Sequence, residues 1–201
     1  MSERHTVPHR LVVGISGASG TIYGIRLLQV LRARPDVETH LVLSAAARTI
    51  MRQETDWQPA AVEALADVVY APDDLGAAIA SGSFRTQGMV IIPCSIKTLS
   101  AVAHSYAANL MARAADVTLK EGRPLLLVVR ETPLHLGHLR LMQQVAEIGG
   151  IIFPPLPAFY ARPQTVDDVV DNTVGRVLAR LGIENELYIR WTGMKERDRG
   201  V

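Results

Sequence analysis

The sequence contains little of what several classes of protein depend on. A single cysteine among 201 residues, Cys94, excludes an internal disulfide and a multi-cysteine zinc or iron–sulfur site. Aromatic residues make up 5% of the chain, too few for the stacking platforms of proteins that bind single-stranded nucleic acid. The formal net charge of +1 gives no global attraction to nucleic acid or to an anionic membrane. We therefore expect neither as a partner.

Long apolar runs are missing as well. No uninterrupted run approaches the ~20 residues that a membrane-spanning helix needs. Residues 1–10 carry charges and have no apolar core of a secretory signal, so we expect a location in the reducing cytoplasm. Apolar residues at 48% and charged residues at 20% are typical of a globular chain with a full hydrophobic core.

Apolar runs alternate with stretches of helical period along the chain. This pattern predicts a doubly wound, Rossmann-like α/β fold, with one parallel sheet and helices on both faces. A single domain, 1–201, is the simplest organisation, with flexible ends at 1–9 and 194–201. The predicted strands are Leu11–Ile15, Glu38–Leu43, Gly88–Ile92, Pro124–Val129 and Gly150–Phe153. The predicted helices are Thr21–Arg34, Ala45–Gln53, Lys97–Ser105, Asn109–Lys120, Leu136–Ile148 and Val166–Leu181.

A glycine-rich loop, GISGASGT at residues 14–21, follows the first predicted strand. Loops of this kind hold phosphate, because glycine allows close backbone approach and the next helix offers free N–H groups. Nucleotide triphosphatases place a lysine before the final Ser or Thr, and here Gly20 occupies that position. The loop therefore suits one phosphate of a mononucleotide or flavin, held by backbone amides and by the hydroxyls of Ser16, Ser19 or Thr21.

Polar residues follow four predicted strands at their carboxyl ends, which is where ligands bind in sheets of this type. These exits are the glycine loop, Ser44, residues 93–98 and residues 130–133. Because the carboxyl ends of parallel strands meet at one edge, the four exits predict a shared ligand site.

Two of the exits are charged. Ser95, Lys97 and Thr98 begin a predicted helix, where they either contact an anion or simply cap the helix. Arg130 and Glu131 point to opposite faces of an extended strand and need not pair with each other. Arg130 suits a phosphate or a ring carbonyl, and Glu131 suits proton transfer. The alternative is an ordinary charged strand end.

The histidines and the cysteine indicate structural roles. His135 and His138 have a spacing that can bind metal, but no third ligand lies nearby in the sequence, so we predict no metal site. His104 is interpreted as a packing or capping residue. Cys94 lacks the His and carboxylate signature of a nucleophile and is interpreted as a half-buried small residue at the end of a strand.

Taken together, these motifs resemble the flavin prenyltransferases of the UbiX type. The matching stretches are VGISGASG (13–20), IPCSIKTL (92–99), VVRETPL (128–134), PAFY (157–160) and RWTG (190–193). The resemblance implies a flavodoxin-like fold, reduced FMN as bound flavin and substrate, dimethylallyl phosphate as prenyl donor, and no metal. It also implies that the product, FMN prenylated at N5 and C6, is the cofactor of UbiD-type decarboxylases, and that the chain forms a homo-oligomer, a dodecamer.

The resemblance also implies roles for individual residues. The residues that would hold FMN are Gly17, Ala18, Ser19, Ser44, Ser95, Ile96, Lys97, Thr98 and Arg130. Those that would hold the phosphate of the prenyl donor are Tyr160, Arg176, Lys120 and Arg113. Those that would act in catalysis are Glu131, Glu54, Ser19 and Trp191.

Three other functions remain open on the sequence. The first is a flavin-dependent cysteine decarboxylase of the same fold, since Pro-Cys-Ser-Ile-Lys-Thr at 93–98 stands where that family has a related motif. The second is a non-catalytic FMN-binding subunit of a decarboxylase system, which has no evident need for Tyr160, Arg176 and Lys120. The third is a direct aromatic-acid decarboxylase, which is disfavoured because plain FMN is a poor electron sink for aromatic acids.

Overall fold

Six runs of the described residues, 9–193, form a parallel sheet in the computed structural model of the protein. The strands are β1 (His9–Ile15), β2 (Val37–Leu43), β3 (Val68–Tyr70), β4 (Gly88–Cys94), β5 (Leu125–Val129) and β6 (Ile151–Ile152). The interiors of β1, β2, β4 and β5 are almost wholly buried, so both faces of the sheet are covered.

The order of the strands confirms the predicted fold class. Across the sheet the order is β3-β2-β1-β4-β5-β6, which is that of a Rossmann sheet. Without the three-residue edge strand β3, it becomes the order of flavodoxin. In both, the chain reverses its direction of winding between β1 and β4, and ligands bind at the carboxyl ends of those two strands.

The helices are α1 (Thr21–Arg32), α2 (Ala45–Glu54), α3 (Pro59–Glu63), α4 (Ile96–Ala103), α5 (Leu110–Lys120), α6 (Leu136–Glu147) and α7 (Val166–Arg180). Helices α1 to α6 lie between successive strands of the parallel sheet, and α7 follows the last strand. All the predicted strands and helices are present, with ends within two residues of the prediction, while α3 and β3 were not predicted. Within residues 9–193, no helix is both long and apolar enough to cross a membrane.

Helix α1 places the glycine loop against the sheet. The helical spacing predicts a buried face of Ile22, Ile25, Leu28 and Leu31; the last three are buried, whereas Ile22 is only half-buried. Gly24 allows the helix to come close, because a Cβ atom there would lie 2.5 Å from the Ile92 carbonyl oxygen. The start of α1 is therefore fixed next to the end of β4.

The contacts divide the chain into two compact units, Met1–Pro155 and Leu156–Val201. The first contains the sheet and α1 to α6, and the second contains α7 and the segment after it. The single domain over 1–201 thus stays a prediction. Flexible ends were predicted at 1–9 and 194–201; residues 1–8 and 194–201 lie outside the described residues, and the prediction is wrong for His9, which is the first residue of β1.

A buried polar cluster lies on β2, away from the polar strand exits. His40 is 2% exposed, and its Nε2 lies 2.8 Å from Oε1 of Glu38. Its Nδ1 lies 3.0 Å from the hydroxyl of Tyr70 on β3. Because a carboxylate only accepts, Nε2 carries the proton and Nδ1 accepts from the tyrosine. Burial lowers the pKa of His40, although Glu38 acts in the opposite direction.

This lowered pKa predicts a loss of stability in acid. The unfolded chain binds a proton on His40 below about pH 6.5, whereas the folded chain resists it, so the free energy of unfolding falls as the pH falls from there. Chemical denaturation of the wild type and of His40→Gln over this range should show a smaller pH dependence in the variant. Equal pH dependence in both proteins would rule out His40 as the source.

Candidate functional site

Hydrogen bonds tie neighbouring strand exits together at the carboxyl edge of the sheet. The Ser44 N–H donates to the Ile15 carbonyl at 3.1 Å, which joins the end of β2 to β1. The Arg130 N–H donates to the Cys94 carbonyl at 3.1 Å, which joins β5 to β4 and leaves the Arg130 side chain exposed. Two of the polar exits predicted from the sequence are thus held in place through their own main chain.

Between β1 and β4, both the side chain and the main chain of Ser16 make the connection. Ser16 is 1% exposed, and its hydroxyl donates to the Pro93 carbonyl at 2.9 Å and accepts from the Ser95 N–H at 2.7 Å. The Ser16 N–H donates to the same carbonyl at 3.2 Å. A hydroxyl has one hydrogen to donate, so the Ser16 hydroxyl is not free to bind a phosphate.

A cavity of about 940 Å³ lies at this edge, and three helices begin at it. Their N-cap residues Ser44, Ser95 and Asn109 line the cavity. Each accepts a hydrogen bond from a backbone N–H in the first turn, at 3.1, 3.3 and 3.0 Å respectively. The other N–H groups of the first turns and the positive ends of the helix dipoles make this end of the cavity favourable for an anion.

Most of the predicted flavin contacts lie together in this cavity. Lys97 and Glu131 are both exposed and bring a cation and a carboxylate to it. Oε1 of Glu131 accepts the Thr132 N–H at 3.0 Å. The predicted residues that line the cavity are Gly17, Ser44, Ser95, Ile96, Lys97, Thr98 and Glu131.

The sequence reasoning missed the loop between α4 and α5. His104 and Tyr106 both line the cavity, although no motif marks either residue. Nδ1 of His104 donates to the Ser100 carbonyl at 2.8 Å, which fits the predicted capping role at the end of α4. Because the carbonyl only accepts, Nε2 is the basic nitrogen of the neutral ring. A signal for Asn109 was available, since Asn is a favoured N-cap residue.

The Glu54 carboxylate binds the main chain where the glycine loop ends and α1 begins. Gly20 is the N-cap of α1, with a φ of 91° that favours glycine, and its N–H donates to Oε2 of Glu54 at 2.8 Å. Ala18 and Ser19 are half-buried in this loop and do not line the described cavity. Because a carboxylate already occupies the start of α1, a phosphate is better placed at the starts of α2, α4 and α5.

Two of the predicted phosphate ligands lie outside the cavity. Nε of Arg113 donates to the Ala80 carbonyl at 3.1 Å, and its Nη1 pairs with Asp116 at 2.9 Å. Lys120 pairs with Glu121 at 2.5 Å. It stands at the end of α5, roughly 16 Å along the helix axis from the cavity end. The structure does not bring either cation to the cavity of its own chain.

The second unit contains the other predicted ligands. The rings of Tyr160 and Trp191 meet edge to face, with their centroids 5.6 Å apart, and both are partly exposed. The Asn185 amide donates to the Gly175 carbonyl at 3.0 Å, which fixes the C-terminal segment on α7. Arg176 is the next residue of that helix and is exposed. This unit thus presents a tyrosine, a tryptophan and a cation.

The cysteine and the histidine pair make packing and capping contacts in the structure, and Cys94 is more buried than the half-buried position predicted for it. Cys94 is fully buried, and burial raises the pKa of its thiol far above the usual range. Nδ1 of His135 accepts the Gly137 N–H at 3.0 Å and so caps α6. Its ring packs on that of His138, with centroids 3.6 Å apart. Among the described residues, no group of three or more His, Cys, Asp or Glu side chains is arranged to hold a metal ion.

The close approach of the glycine loop to α2 gives a test of the packing at the cavity wall. A Cβ atom at Gly17 would lie 2.4 Å from that of Ala46. Gly17→Ala should therefore cost roughly 1–3 kcal/mol by overpacking. That cost corresponds to a melting temperature lower by several degrees in a chain of this size.

The double variant Gly17→Ala/Ala46→Gly removes the clash and supplies the control. Thermal unfolding should show a higher melting temperature for the double variant than for Gly17→Ala, even though glycine within a helix is itself unfavourable. Strictly additive losses would mean that the contact with Ala46 is not the cause.

Comparison with known proteins gives the chain's family. The Flavoprotein family model matches residues 1–178. The chain is 63% identical to the flavin prenyltransferase UbiX of Escherichia coli K12 over 186 residues, which is 92% of this chain and 98% of that protein.

Two solved structures are closely similar. A dodecameric FMN-dependent UbiX-like decarboxylase from Escherichia coli O157:H7 has 50% identity and a TM-score of 0.90, over 92% of this chain and 100% of the other. AnUbiX (PadA1), in complex with FMN and dimethylallyl pyrophosphate, has 46% identity and a TM-score of 0.91, over 94% and 100%. The chain belongs to the Flavoprotein family and, within it, to the flavin prenyltransferases of the UbiX type.

Proposed function

We propose that the protein is a flavin prenyltransferase, which joins a dimethylallyl group to N5 and C6 of reduced FMN and releases phosphate. The observation that carries this proposal is the high identity to a flavin prenyltransferase over nearly the whole chain. The cysteine decarboxylase is less supported, because the close relatives bear the prenyltransferase name.

The cavity at the carboxyl edge fits FMN. Its volume of about 940 Å³ lies in the range of small-molecule sites. The starts of three helices suit the phosphate, while Ile96, Ala101 and Ala112 offer apolar surface to a ring. When bound, the reduced flavin supplies the nucleophilic atoms. The protein supplies binding, orientation and proton acceptance.

Binding of the flavin is assigned first to the residues that line the cavity. Ser44, Ser95 and Thr98 lie at helix starts, where hydroxyl and backbone N–H groups suit the phosphate. Lys97 adds a positive charge. Arg130, at the next strand exit, is proposed as a further flavin contact through its exposed guanidinium.

The phosphate of the prenyl donor is assigned to Tyr160 and Arg176. As the C–O bond breaks, negative charge grows on the leaving phosphate, and a hydroxyl and a guanidinium stabilise it. The Trp191 ring, which contacts Tyr160, suits an allylic cation through its π face. Arg113 and Lys120 are held by their own chain away from the cavity. We assign them to the cavity of a neighbouring copy in a homo-oligomer, a dodecamer as in the similar structure.

Proton transfer is assigned to Glu131. Closing the new ring adds C6 across the prenyl double bond, so the other alkene carbon gains a proton and C6 loses one; a carboxylate lining the cavity can accept the proton that leaves C6. Glu54 and Ser19 are kept as further catalytic candidates at the glycine loop, where Glu54 orders the backbone through Gly20. The product is proposed to serve a UbiD-type decarboxylase.

The direct test is the mass of the flavin after reaction. The purified protein is mixed anaerobically with reduced FMN and either dimethylallyl phosphate or dimethylallyl pyrophosphate. Gain of one prenyl unit, with release of phosphate or pyrophosphate, establishes the transferase and identifies the donor. Bound but unmodified FMN would contradict the proposal. Parallel assays with a cysteine peptide and with an aromatic acid test the decarboxylase alternatives, since one similar structure bears the name decarboxylase.

The role of Glu131 makes a second prediction. Glu131→Gln keeps the size of the side chain but cannot accept the proton, so prenylation should slow by about 100-fold or more. Flavin affinity, measured by fluorescence titration, should stay close to that of the wild type. Glu147→Gln, on the exposed side of α6, is the matched control and should react normally. Full activity of Glu131→Gln would remove this residue from proton transfer.

A further inference from the structure

The regular pairing of β1 with β4 ends a few residues before Gly17 and Ser95, which line the cavity. The last paired residues are Gly14 and Ile91. Two residues later on β4 comes Pro93, which has no N–H to donate across the gap. On its other side β4 is also irregular, since its register with β5 shifts between Ile91 and Cys94. Beyond this pairing the Ser16 N–H still donates to the Pro93 carbonyl at 3.2 Å, but the next N–H that faces β1, that of Ser95, bonds to a side chain and not to the main chain.

The Ser16 hydroxyl makes two hydrogen bonds to the main chain at the end of β4, one as donor and one as acceptor. It donates to the Pro93 carbonyl at 2.9 Å and accepts from the Ser95 N–H at 2.7 Å. The Ser95 N–H precedes α4, and no helix carbonyl is available to accept from it. A buried N–H without an acceptor is costly, so this hydroxyl fixes where α4 begins.

The arrangement differs from that at the other exits. The N–H groups of Ser44 and Arg130 donate directly to carbonyls of the neighbouring strands, which no substitution of a side chain removes. At Ser95 the acceptor is a side-chain oxygen. A single substitution at Ser16 can therefore leave the Ser95 N–H without its acceptor.

A direct role in binding does not explain Ser16. The side chain is 1% exposed, and its one hydrogen is donated to Pro93. Its effect must act through Ser95 and the residues that follow, Ile96 to Thr98, all of which line the cavity. This separates Ser16 from the other hydroxyls of the glycine loop.

We propose that Ser16 is a positioning residue of the flavin site, which sets the place of the α4 N-terminus relative to the glycine loop. The inference rests on the proposed function, because it takes FMN as the occupant of the cavity. The glycine-rich loop resembles loops whose hydroxyls bind phosphate. Ser16, its first serine, is instead assigned the role of holding the protein's own main chain in place.

The test compares variants that differ only in the hydroxyl. Ser16→Ala removes it, and Ser16→Thr retains it. FMN affinity is measured by fluorescence titration at a temperature where circular dichroism shows each variant to be folded. Loss of a buried acceptor should weaken FMN binding by about tenfold or more in Ser16→Ala. Ser16→Thr should recover most of that affinity.

Thr118→Val is the matched control for a loss of stability alone. The Thr118 hydroxyl is also buried and donates to a backbone carbonyl, that of Ala114 at 2.7 Å, but it does not line the cavity. This variant should have a lower melting temperature than the wild type and the same FMN affinity.

The outcomes separate the inference from the function on which it rests. If the wild type binds no FMN, the proposed function fails. If the wild type binds FMN and Ser16→Ala binds it equally well, the positioning role is overturned. Equal losses in Ser16→Ala and Ser16→Thr would also overturn it, because the hydroxyl would not be the cause.

Discussion

The hydrogen bonds that join β1 to the carboxyl end of β4 through Ser16 are the constraint on which the rest of the site depends. The regular pairing of these strands ends at Gly14 and Ile91, yet the loops that follow them must keep fixed positions around the cavity. Hydrogen bonds from Ser44 and Arg130 hold the outer exits, and the hydroxyl of Ser16 holds the inner one. The cavity thus lies just beyond the strand ends, and the groups that follow the strands fix the positions of the loops that line it.

The sequence was sufficient to predict the sheet, because the central strands are buried on both faces and read as continuous apolar runs. It did not predict the short strand at the sheet edge or the short helix that precedes it. The strand Val68–Tyr70 has only three residues, and Pro59–Glu63 forms little more than one helical turn. Elements this short have no periodicity to detect, and their pairing with neighbours decides their conformation.

The site could be predicted in part for a similar reason. Residues directly after buried strands must lie at one edge, so Ser44, Ser95 and Glu131 were identified by position alone. Spacing along the sequence does not show that Lys120 lies at the end of α5 that is far from the cavity. Nor does it show that Glu54, on α2, accepts a hydrogen bond from the Gly20 N–H. Those facts depend on how helices pack, which a linear pattern does not record.

The end of the cavity where helices begin has a consequence for its chemistry. Ser44, Ser95 and Asn109 present hydroxyl and amide groups, and the main chain presents N–H groups. None of these gains or loses a proton near neutral pH, so this part of the protein attracts an anion with a field that acidity does not alter. The helix starts therefore offer an anion a site built from groups of fixed charge state, on the same side of the sheet as the exposed Lys97 and Glu131.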